Sequence, residues 1–201
     1  MERAGVRLPE HVAGDEIVLR RWRPSDAEAL AQAVAESAEH LRPWMPWIAH
    51  EPLALAARRD LIARWGEEWA AGGDLYQGVF SQGRIAGGCG LHHRIGPGGL
   101  EIGYWIHPAF TRRGLATACA RLLTDAGFTV PGIQHVEIHH DRANEASAGI
   151  PRKLGFTFVA EVPDEISAPA EVGIECVWRM DEVTWRRLHS SVEWSTARPG
   201  S

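Results

Sequence analysis

Lysine is nearly missing from this chain: Lys153 is the single one among 21 basic residues, and the rest are arginine. That skew reads as a coding bias towards Arg and Ala, not as a binding feature. Cysteine is sparse too. Cys89, Cys119 and Cys176 are odd in number, widely spaced and form no CxxC, so no disulfide framework is expected and a reducing, cytoplasmic setting is. No run approaches the roughly 18 apolar residues of a membrane span, so no membrane partner is expected. The opening MERAGVRLPEHVAGDE has no apolar core of a signal peptide. A net charge of −5 argues against nonspecific nucleic-acid binding and gives weak support to a cationic acceptor. HExxH and comparable ligand spacings are absent. His92-His93 and His139-His140 are neighbours on strands, so each pair points to opposite faces and cannot chelate jointly. No metal is expected.

What is present suits one soluble domain. The 201 residues are 45% hydrophobic, enough for a proper core. Alternation marks strands near 16–23, 75–80, 84–91 and 100–106, then QHVEIHH, FTFVAEV and IECVWRM. Helical spacing marks 26–39, 53–70 and 114–127, and NEASAGIPRKL reads as a fourth helix capped by Asn144 and stopped by Gly155. Pro151 inside that helix predicts a bend or break, which bears on where Lys153 falls. Between the first two helices, LRPWMPWIAHEP reads as an irregular loop. The resulting order, β-α-α-β-β-β-α-β-α-β-β, is a mixed α/β (α+β) domain over 15–188. A flexible 1–14 and a disordered tail over 189–201 are expected to flank it.

One segment suggests chemistry. EIGYWIHP-AFTRRGLATACARLL joins a strand to a helix through Arg112-Arg113-Gly114. A helix start exposes unpaired N–H groups and the positive end of a dipole, and a glycine lets the backbone close around an anion. An ordinary strand–helix turn with solvated arginines fits the same spacing. The Walker ending Gly-Lys-Ser/Thr and the three spaced glycines of a dinucleotide fingerprint are both absent.

RRGLAT after EIGYWIHP resembles the acetyl-CoA-binding motif of the GNAT superfamily of N-acetyltransferases. Within it the chain resembles the RimJ/RimL branch, which acetylates N-terminal α-amino groups of ribosomal proteins. Asn144-x-x-Ser147 followed by Lys153-Leu154-Gly155-Phe156 is similar to that branch's N-x-x-S…K-x-G-F pattern. LRRWRPSDAEAL and LRPWMPWI resemble its N-terminal region, so the likeness spans about 15–181. One departure stands out: the first position of the pyrophosphate signature Q/R-x-x-G-x-G/A is Thr111, while Gly114 and Ala116 fit.

The resemblance implies a single bacterial GNAT-like domain with a central twisted mixed sheet of about six to seven strands and about four helices. It implies acetyl-CoA as co-substrate, held by Ile106, His107, Arg112, Arg113, Gly114, Leu115, Ala116, Thr117, Asn144 and Lys153. It implies Glu101 as a base and Ser147 as the group that hydrogen-bonds the sulfur and protonates the departing thiolate. Surface pairing for Glu101 and a second capping role for Ser147 remain the alternatives, and Asn144 can cap as well as bind. An oxyanion donor is expected among the backbone N–H groups near 106–108. Neither Tyr76 nor Tyr104 is expected at the acid's place. Trp44 and Trp47 either wall an acceptor groove or plug the core. The acceptor is expected to be a protein N-terminus. A small amine (aminoglycoside, polyamine or amino acid) and a noncatalytic acyl-CoA-binding domain are the alternatives. Dimers are common in the branch, so a homodimer is open.

Overall fold

The computed structural model describes residues 8–189. Its elements, in chain order, are β1 (His11–Ala13), β2 (Val18–Arg21), α1 (Ala27–Leu41), α2 (Leu55–Ala70), β3 (Leu75–Ser81), β4 (Arg84–His92), β5 (Gly99–Ile106), α3 (Leu115–Gly127), β6 (His135–Asp141), α4 (Glu145–Leu154), β7 (Thr157–Pro163), β8 (Ile174–Asp181) and α5 (Glu182–His189). One eight-stranded sheet runs β1-β2-β3-β4-β5-β6-β8-β7. This is the expected mixed α/β domain, with one strand and one helix more than the sequence suggests.

The extra strand lies inside the stretch expected to be a flexible lead. β1 pairs with β2, Leu8 is buried and its carbonyl accepts from Trp69 Nε1 at 2.8 Å. Three residues are too few to show alternation, which is why the pattern misses it. Of the expected tail, only His189 falls within the described residues. Pro151 does not break α4, which continues to Leu154 and ends on Gly155 in the left-handed region (φ 77°). The proline merely leaves the Ser147 carbonyl without its helical donor. Lys153 sits exposed in the last turn.

Alternation along the strands builds two cores. On one face Leu75, Val79, Leu91, Leu100, Ile102 and Ile106 pack on Leu115, Cys119, Leu122 and Leu123 of α3. Each fully buried leucine there contributes about 1.5–3 kcal/mol. On the other face Trp22, Leu30, Val34 and Ile62 gather with Tyr76, Phe80 and Trp105 under α1 and α2.

Every strand pairing is antiparallel except β5 with β6. That parallel pair spans only Gly99↔His135, Leu100↔Val136 and Glu101↔Glu137. Beyond Glu101 the two strands part, and the gap between them positions the site.

Candidate active site

His107 N–H donates to Ala86 O at 2.8 Å, and β4 and β5 are in register as Gly87↔Ile106 and Cys89↔Tyr104. Antiparallel strands alternate bonded and non-bonded pairs. His107, Trp105 and Gly103 therefore spend their backbone groups on β4, while Ile106 and Tyr104 aim theirs at the gap left by β6. Of the backbone donors expected near 106–108, His107 is taken and Pro108 has none, so Ile106 is left.

A cleft of about 930 Å³ is lined by Tyr104 and Ser147 at the gap and by Trp44, Trp47, Trp105 and Glu101 on the α1/α2 face. Trp47 and Trp105 meet at 6.2 Å between ring centroids, and Trp65 stacks on Tyr76 at 5.0 Å. The loop tryptophans are half-buried and both line the cleft, while Trp47 also packs against the core under α1 and α2.

At the gap, the Asn144 side chain caps α4 by accepting from Ser147 N at 3.1 Å. Ser147 Oγ lies 3.0 Å from Tyr104 Oη. Burial pushes the Tyr104 phenol well above its ordinary value, the Ser147 contact opposing it, so the hydroxyl stays protonated. The sequence does not lead one to expect Tyr104 beside Ser147. Strand alternation puts Tyr104 on the face of Ile102 and Ile106, and the placing of α4 over that face brings Ser147 to it.

The turn before α3 presents a row of backbone donors. Arg112 (φ 59°) and Gly114 (φ 79°) both take left-handed backbone, and intrahelical bonding begins with Ala118 N donating to Gly114 O at 2.9 Å. The N–H groups of Leu115, Ala116 and Thr117 precede that bond and have no helical acceptor. Arg112 and Arg113 are exposed beside them. Thr111 spends its hydroxyl on Pro108 O at 2.9 Å, so its side chain braces the turn. His107 also braces: Nδ1 accepts from Ala109 N at 3.1 Å and Nε2 meets Glu36 at 3.0 Å.

Where β5 and β6 still pair, Glu101 is buried and Arg94 occupies both its oxygens, Nε donating at 2.7 Å to one and a terminal nitrogen to the other. Glu137 accepts from Arg179 at 2.6 Å and meets His139 Nε2 at 2.6 Å. Burial alone would raise its carboxyl, but these partners hold it below the ordinary value. Asp141 accepts from the backbone N–H of Ala143, Val172 and Gly173 at 2.8–3.1 Å. These bonds outweigh burial and lower its carboxyl, and they tie the loop before β8 to the cleft wall.

The chain matches the acetyltransferase (GNAT) domain over residues 16–157. It belongs to this family and is an N-acetyltransferase. One relative is the "Putative ribosomal N-acetyltransferase YdaF" of Bacillus subtilis (strain 168), 29% identical over 143 residues, 71% of this chain and 78% of that protein. Another is the spermidine N(1)-acetyltransferase of Escherichia coli (strain K12), 40% identical over 60 residues, 30% of this chain and 32% of that protein. Among solved structures, RimL, a ribosomal L7/L12 alpha-N-protein acetyltransferase in complex with coenzyme A, aligns with a TM-score of 0.77. Its identity is 18%, covering 89% of this chain and 99% of that one.

Proposed function

We propose that the enzyme acetylates the α-amino group of a protein or peptide N-terminus, with acetyl-CoA as donor. The observation that carries this reading is a single cleft in which the parted strands, the Ser147 hydroxyl and an aromatic-walled groove meet. The pyrophosphate lies on the open N–H groups of Leu115, Ala116 and Thr117 with Arg112 and Arg113 beside it, and the pantetheine arm follows the unpaired edge of β5 towards Asn144. Ile106, as the free backbone donor, faces the thioester oxygen.

The amine nitrogen attacks the thioester carbon. The C–N bond forms, the C–S bond breaks, and the electron pair goes to sulfur, which Ser147 meets with a hydrogen bond. Proton acceptance belongs to the opposite end, where Glu101 is the carboxylate but Arg94 holds both its oxygens, which leaves the base unassigned. Trp44 and Trp47 wall the acceptor's path.

Free-thiol release from acetyl-CoA, measured against N-terminal peptides and against small amines including polyamines, tests this. Turnover with peptides is expected. Turnover confined to small amines would overturn the acceptor assignment, and CoA binding without any turnover would mean a binding domain.

A further inference from the structure

We propose that His92, oriented by Asp74, is the base that deprotonates the acceptor ammonium. The inference rests on the acetyl-transfer reading above and names a residue that reading leaves open.

His92 ends β4 and is buried. Its Nδ1 donates to Asp74 Oδ2 at 2.8 Å, and the other oxygen of Asp74 accepts from His93 N at 2.8 Å. The Asp74 carboxyl is lowered: burial raises it, but the His93 backbone and His92 bonds prevail. A carboxylate on Nδ1 places the ring hydrogen there and leaves Nε2 as the lone-pair nitrogen. Nε2 faces Gly90 and Gly103, where an added Cβ would come within 2.8 and 3.2 Å of it. Both glycines line the acceptor cleft, so the missing side chains are what open the imidazole to it. His92 pairs in register with Glu101, whose oxygens Arg94 holds. Of these two candidates at this end of the cleft, the imidazole is therefore the one with a free acceptor atom. The other titratable and charged groups nearby are Tyr76, which meets the ring edge-on at 5.1 Å, His93, which shares Asp74, Glu68 and Arg94, whose charges reach Tyr76, and Arg64, which lines the same cleft.

In the step, Nε2 takes one proton from the ammonium and the neutral nitrogen attacks the thioester carbon. The second proton released by that nitrogen passes net to sulfur, giving amide and free thiol, and His92 then returns its proton to solvent. Ser147 is neutral before and after.

An α-amino group titrates near pH 8 in water, so the need for a base disappears once the solution itself deprotonates the amine. His92→Ala is expected to lower kcat/KM about 100-fold at pH 7, with the deficit shrinking steeply above about pH 9. Added imidazole restores part of the lost rate. CoA affinity and melting temperature check that the variant is folded. His92→Gln, whose amide can still reach Asp74, serves as the second variant and follows the same profile without rescue. A deficit that is constant across pH, or none, overturns the proposal. Should the wild type acetylate a small amine but no peptide, the acceptor reading fails while the same comparison on that amine still decides the role of His92.

Discussion

Tyr104 Oη and Ser147 Oγ lie 3.0 Å apart at the point where β5 leaves β6, joining the strand that opens the cleft to the helix that faces it. With Tyr104 donating, the Ser147 hydrogen is free for the thioester sulfur. Hydrogen bonds in a chain polarise one another, so the phenol strengthens the serine as a donor.

Tyr104→Phe is expected to lower kcat about five- to tenfold, the range of one hydrogen bond, with little change in KM for acetyl-CoA. Ser147→Ala should cost about 100-fold. The double variant should be no slower than Ser147→Ala alone. Steady-state kinetics on the four proteins decides the matter, because additive losses would show that the two hydroxyls act separately.

Acid should unfold the protein through carboxylates that the fold stabilises. Glu137 and Asp141 both have lowered folded values, against ordinary values of 4.5 and 3.8. A depressed folded pKa contributes stability that is fully present above the unfolded value and is lost as pH falls through the folded one. Melting temperature should therefore hold down to about pH 5 and fall below about pH 4.5. Arg179→Met, leaving Glu137 with His139 as its partner, should cost about 1–3 kcal/mol at neutral pH. Thermal unfolding followed by circular dichroism reads both effects, and an acid limb unchanged in Arg179→Met would refute the part assigned to that pair.

Much of this arrangement was legible in the residues, and the reasons differ by element. Leu115, Cys119, Leu122 and Leu123 announce α3 because a buried stripe must recur at helical spacing. Alternation along β5 sets Glu101 and Trp105 on the face opposite Tyr104. Pairings between distant segments left no such trace. Arg94 meets Glu101 only because the glycine-rich turn brings β4 and β5 into register, and Asp74 meets His92 across the β3–β4 pair. Nothing in the spacing sets His92 beside Asp74, since a lone dyad has no spacing of its own. Tyr104 and Ser147 are brought together by the β5–α3–β6–α4 crossover. α5 leaves little trace in the sequence because its apolar residues are few; among them Trp185 is buried.

At the α3 turn, the contribution of Gly114 is conformational. A side chain at φ 79° costs about 1–2 kcal/mol of strain. Gly114→Val should relieve that strain by moving the N–H groups of 115–117, weakening CoA binding about tenfold or more while leaving kcat at saturating acetyl-CoA nearly intact. Arg112→Ala should weaken binding less and flatten its salt dependence, as expected of an exposed charge. Calorimetric titration with CoA at two ionic strengths separates these. Equal affinity in Gly114→Val would move the pyrophosphate elsewhere.

The glycines of the acceptor floor discriminate between structure and function more sharply than any aromatic in its walls. At Gly90 an added Cβ would stand 2.6 Å from the Leu75 carbonyl oxygen. That contact is with backbone, so Gly90→Ala should damage the sheet itself. At Gly103 the nearest atoms are those of the His92 ring, at 3.2 and 3.6 Å, and only that side chain must yield. Gly103→Ala should therefore fold with a melting temperature within a few degrees of wild type, a cost on the order of 1 kcal/mol. It should keep its CoA affinity, because the gap and the α3 turn are untouched. Yet the methyl crowds Nε2 and, on the proposed acceptor route, stands in its path, so KM for the amine should rise and kcat/KM fall about tenfold or more, the scale of one misplaced contact at a reacting centre. Full activity in Gly103→Ala would show that the amine approaches the thioester from somewhere other than this floor.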